Sequence, residues 1–93
     1  MIWNYTAVTA DALIKTGPGV VHTVTFSANG TVTAGVITIY DSLTEANTVI
    51  WRGTIQVASA PTTIHLNAKF STGLYVGYDG TIANVATTVT WRP

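Results

Sequence analysis

His22 and His65 are the only imidazoles in the chain, so acid–base or metal chemistry near neutral pH would have to use one of them. His22 alternates with Val20, Val24 and Phe26 on what reads as the core-facing side of a strand, whereas His65 projects opposite to Ile64 and Leu66. The first is expected to be a partly buried, hydrogen-bonded side chain and the second solvated or interfacial. A catalytic triad needs a nucleophile and an orienting carboxylate converging on one imidazole. Ser27, Ser42, Ser59 and Ser71 all lack the Gly-x-Ser-x-Gly context of a nucleophile elbow.

Asp11, Asp41, Glu45 and Asp79 are the whole acidic inventory. Glycosidase chemistry needs two carboxyls facing each other across a defined gap. Asp41 and Glu45 are close in sequence, but the stretch between them reads as a loop in which the Asp41 side chain caps a turn. Asp41, Glu45 and Asn47 offer hard oxygens for calcium, at a spacing that matches no established binding loop. Gly17-Pro18-Gly19 runs into a strand pattern without the Gly-Lys-Ser/Thr ending of a phosphate loop. Asn4-Tyr5-Thr6 and Asn29-Gly30-Thr31 match the glycosylation triplet, but the second reads better as a turn. These residues assign no catalytic group, cofactor or metal ion, and the chain is read as not an enzyme.

Three tryptophans are generous for 93 residues. Trp51, amid Val49 and Ile55, reads as core. Trp3 and Trp91, near the termini, are plugs for the end of a sandwich, anchors in a subunit interface or, with Tyr75, a sugar-stacking platform. Ile2, Trp3, Tyr5 and Trp91 are the interface candidates.

The elements that must hold these residues show period-2 alternation throughout, with no sustained helical stripe. Strands are predicted from Ile2 to Val8, Ala12 to Lys15, Val20 to Ser27, Thr31 to Tyr40 (with Gly35 a bulge or close-approach point), Thr48 to Val57, Ile64 to Phe70, Leu74 to Tyr78 and Ile82 to Trp91. In the fifth, Val49, Trp51, Ile55 and Val57 share one face, and Ile50, Arg52, Thr54 and Gln56 the other. Gly17-Pro18-Gly19 is a turn or sharp crossover. Asn29-Gly30 and Asp79-Gly80 are hairpin signals, residues 41–47 a polar connection with room for a helical turn, and residues 58–61 a break. About eight strands at this spacing predict an all-β domain: a single antiparallel β-sandwich or a jelly-roll-like barrel spanning 1–93.

Composition bounds the rest. A chain of this length has room for one core, and about 64% of its unfolded surface would be buried on folding, a thin margin. Cysteine is absent, so no disulfide or thiolate metal site supplies the missing stability, and oligomerisation is the expected solution. Charged residues are 9% of the chain against roughly 25% in typical domains, and the net charge is zero, so an isolated monomer would have weak colloidal protection. Lys15, Arg52, Lys69 and Arg92 are scattered and form no basic stripe, which disfavours nucleic acid as a partner. The opening Met-Ile-Trp-Asn-Tyr-Thr has neither the basic nor the apolar region of a secretory leader, and no stretch is long enough to span a bilayer, so synthesis in a reducing cytoplasm without a membrane partner is expected.

Three segments carry a resemblance: Lys15-Thr16-Gly17-Pro18-Gly19-Val20-Val21-His22, Ile37-Thr38-Ile39-Tyr40-Asp41-Ser42 and Phe70-Ser71-Thr72-Gly73-Leu74-Tyr75-Val76, followed by the terminal Trp91-Arg92. The layout, from about Asp11 onward, resembles small virion proteins of tailed bacteriophages of the capsid decoration, or head cement, type. The resemblance implies a β-sandwich that associates, often as a homotrimer, on the exterior of the assembled capsid and bridges major capsid protein subunits against the pressure of packaged DNA. It implies no catalytic residues. It suggests that residues 1–10 become ordered against the shell or a sister subunit. Two other readings are a tail, collar or fibre-associated virion subunit and a small carbohydrate-binding module.

Overall fold

The computed structural model describes residues 2–28, 35–45, 48–55, 62–79, 82 and 84–93, with the side chains of Ala28 and Ile55 excepted. Eight strands carry them: β1 (Asn4–Val8), β2 (Ala12–Thr16), β3 (Gly19–Ala28), β4 (Gly35–Tyr40), β5 (Val49–Ile55), β6 (Thr62–Phe70), β7 (Gly73–Asp79) and β8 (Val85–Arg92). They form two antiparallel four-stranded sheets, sheet I in the order β1-β8-β3-β6 and sheet II in the order β2-β7-β4-β5. The first strand pairs with the last, the second with the seventh, the third with the sixth and the fourth with the fifth. One long hairpin is thus rolled over on itself, and the β3·β8 and β4·β7 ladders close the two sheets. That is a jelly roll, the more specific of the two expected architectures.

Alternation fills the space between the sheets. Val21, Val24 and Phe26 of β3, Ile37 and Ile39 of β4, Phe70 of β6, Leu74 and Val76 of β7, and Val85 and Val89 of β8 form one buried cluster. Trp51 joins it from β5, its ring stacked on Phe26 at 5.4 Å between centroids, as expected of a core tryptophan. Gly17 has φ +87°, a left-handed conformation that lets the chain turn sharply from sheet II to sheet I. Gly35 is a close-approach point, since a β-carbon there would come within 2.7 Å of the Asp79 carbonyl oxygen.

Five expectations need correction. Asn29-Gly30 lies outside the described residues, but its flanking strands, β3 and β4, belong to different sheets and do not pair as a hairpin. Gly80 likewise lies outside the described residues, and β7 and β8, which flank Asp79-Gly80, are in different sheets and do not pair as a hairpin. A turn dipeptide sets the reversal of the chain, while burial of the returning apolar face decides which sheet the strand joins. In the polar connection of the β4–β5 hairpin, the described residues make bends with no helical turn, and the Asp41 amide donates to the Thr48 carbonyl at 3.0 Å.

The other two corrections come from bulges. The register of β3 slips between Val21 and Thr23 against both neighbours, so Val21, Val24 and Phe26 face the core while Val20 and His22 stay half-buried outside it. A slip between Ile39 and Tyr40 against β5 packs both Ile50 and Trp51 on the core and leaves Val49 exposed. Gln56, Val57 and residues 58–61 lie outside the described residues.

Candidate functional site

The broad outer face of sheet I collects the side chains that the sequence singles out. One row across its four strands is Tyr5, Thr90, Thr23 and His65; the next is Ala7, Thr88, Thr25 and Thr63. Threonine hydroxyls pair along these rows, Thr23 with Thr90 at 2.6 Å and Thr25 with Thr63 at 2.9 Å. The middle of the face is therefore polar and uncharged, with the hydroxyls of Thr23, Thr90, Thr25 and Thr63 paired two by two.

An aromatic cluster closes one end. Trp3, just before β1, stacks on His22 with ring centroids 4.4 Å apart and planes 9° from parallel. The Arg92 guanidinium lies over the same indole at 4.9 Å, a cation–π contact. His22 reaches this position because it is the bulged residue of β3, and its Nδ1 donates to Asn67 Oδ1 at 2.6 Å. Asn67 sits at the matching irregularity in β6 with φ 47°, so the two bulges are tied side chain to side chain. His65 meets His22 edge-on at 6.1 Å. His22 is half-buried and hydrogen-bonded as expected, but it lies on the outer face and not on the core-facing side, while His65 is exposed as expected. With an amide, a guanidinium and an indole as partners, the cluster offers recognition groups rather than a nucleophile with its base.

The interface candidates divide. Ile2 is 91% and Tyr5 74% exposed, whereas Trp3 is half-buried in the stack. Trp91 has the opposite parity on β8: it packs against the core and its indole N–H donates to Thr6 Oγ1 at 3.3 Å. Trp3, Trp91 and Tyr75 accordingly form no shared platform. Tyr75 alternates with buried Leu74 and Val76 and faces outward from sheet II, edge-on to Tyr40. Strand parity, broken by the bulges, separates the three rings.

The carboxylates are engaged elsewhere. Asp41 caps a turn, as expected, but the turn is Ser71-Thr72-Gly73, thirty residues away, and no part of its own loop. Its oxygens accept from the amides of Ser71 at 3.0 Å, Thr72 at 2.9 Å and Gly73 at 3.4 Å, and from Ser71 Oγ at 3.3 Å. Burial works against the charge, but these donors outweigh it and hold the carboxyl below its ordinary range. Asp41 and Glu45 therefore point to different places, and Asn47 lies outside the described residues.

A grouping that sequence reasoning missed is that of Asp11, Glu45 and Asp79. Asp11 Oδ1 accepts from the Tyr78 amide at 2.6 Å, and Glu45 lies over Gly77. Burial, then the charges of Asp11 and Asp79, push the Glu45 carboxyl up. Nothing in their spacing, more than thirty residues apart in each case, signals this convergence. No family model, curated protein or solved structure matches the chain.

Proposed function

We propose that this chain is a structural subunit of a bacteriophage particle, an oligomer that lies on the outer surface of the assembled capsid, contacts the major capsid protein and stabilises the shell. The observation that carries the reading is the middle of the outer face of sheet I, an uncharged threonine surface on a thin jelly roll, bordered by exposed Ile2 and Tyr5 and, at one end, by Arg92. The Cα extents, 35 × 29 × 16 Å, are those of a tile. Jelly rolls recur in viral capsid domains and in lectins, so the fold alone selects neither. The sparse charge and the sequence resemblance favour the first. Many equivalent sites on a shell would make individually modest contacts effective through avidity. Synthesis in the host bacterial cytoplasm precedes attachment, and neither nucleic acid nor membrane is a proposed partner.

The test is to mix the purified chain with phage heads assembled without it and sediment them. Saturable co-sedimentation at a fixed ratio, with a rise in the temperature at which the heads rupture, is expected. A chain left in the supernatant would overturn the assignment. Binding to tails alone would move the subunit to a tail or collar address.

A further inference from the structure

Among the described residues the two sheets end in four edge strands, and a bare edge is a template for pairing with another chain. Three of the four carry two protective features each. β2 has a register slip between Leu13 and Lys15 and carries Lys15 itself. β5 has the extra residue opposite Ile39 and Tyr40, and carries Arg52. β6 has the irregularity at Asn67, with its left-handed φ, and carries Lys69. A bulge twists the edge away from a flat partner, and a cation resists burial beside a second strand.

β1 has neither. Its five residues run in unbroken register with β8, contain no Asp, Glu, Lys, Arg or Pro, and leave Asn4, Tyr5 and Ala7 exposed. The two most exposed large apolar side chains of the described residues, Ile2 and Tyr5, lie on it or just before it.

From this contrast we infer that β1 is the self-association edge, pairing antiparallel with β1 of a second copy about a twofold axis to join two sheets I into one eight-stranded sheet. The occupant is a second copy because β1 is uncharged and meets itself without repulsion, whereas every other described edge of the same molecule is blocked to it. A closed ring of three would need each copy to present two different, complementary edges. The edge inventory therefore gives a pair where the resemblance implies a trimer. The inference adds an interface to the proposed function and rests on its premise that copies associate.

The test uses the full chain. Light scattering should give twice the 9.8 kDa of one chain, and the amides of residues 4–8 should gain hydrogen-exchange protection as concentration rises. Tyr5→Lys/Ala7→Lys, at two exposed positions, should lose both the pair and the protection, while Thr63→Lys on the β6 edge should keep both. An assembly that survives the double substitution, a threefold mass without β1 protection, or β1 protection that arises only on phage heads would overturn the pairing. Head binding by a chain that stays single would sink the pairing and leave the proposed function standing; a β1-paired dimer that ignores heads would do the reverse.

Discussion

Tyr78 springs from β7 in sheet II, yet its hydroxyl reaches sheet I. There it donates toward the carbonyl oxygens of Val8 at 3.2 Å and Val85 at 3.1 Å, and lies 2.6 Å from Thr87 Oγ1. Thr87 is fully buried, so removing the phenol oxygen strands a hydroxyl in the core. Tyr78→Phe should lower stability by about 1–3 kcal/mol in urea unfolding, with the denaturant slope unchanged. Trp51→Ala should cost about 3 kcal/mol, the low end for a truncated tryptophan because the ring is only partly buried. Asp41 makes stability depend on pH. Its folded pKa lies below the unfolded value of 3.8, so its contribution is complete above that value and lost as pH falls through the folded pKa. Asp41→Asn should be less stable at neutral pH and should flatten the acid limb of melting temperature against pH. Little of this was legible beforehand: Asp11, Asp41, Tyr78 and Thr87 look like scattered polar residues until the rolled topology brings distant strands together.

At the scale of elements, local chemistry was a good guide to where strands run and a poor one to how they join. The alternation that buries Leu74 and Val76, or Val85 and Val89, depends only on neighbours two residues apart, and it survives in the fold. Pairing partners depend on apolar faces closing over one another across the whole chain, and the Asn-Gly and Asp-Gly signals carry no such information. The bulges at His22 and Asn67 were likewise invisible, since each exists to reconcile two neighbouring registers. They should be sensitive in a specific way. Asn67 is held at φ 47°, where glycine is at ease and a β-branched residue is strained, so Asn67→Val should be less stable than Asn67→Gly by about 1–2 kcal/mol in thermal or urea unfolding. Both changes delete the bond to His22, so their difference isolates the backbone. The candidate site was half legible: Trp3, Tyr5 and His22 were singled out by type, but the stack of Trp3 on His22, with Arg92 over the indole, arises from a bulge and a β1–β8 pairing that join the two ends of the chain.

For the molecule as a whole, the physical situation is that of a small fold with few ionised groups, no disulfide and a face whose middle is neutral, set beside one unguarded strand edge among the described residues. Each feature is a liability for a solitary protein and an asset for one that repeats. The charge deficit that weakens colloidal protection also removes the desolvation penalty of burying a surface against a neighbour. The edge that would invite uncontrolled pairing offers a defined joint when its counterpart is another copy of itself. The account stands or falls on association, and the molar mass in solution at micromolar concentration tests that most directly. An assembly of at least twice the 9.8 kDa of a single chain is the expected result, and a mass that stays at 9.8 kDa across the concentration range would contradict it.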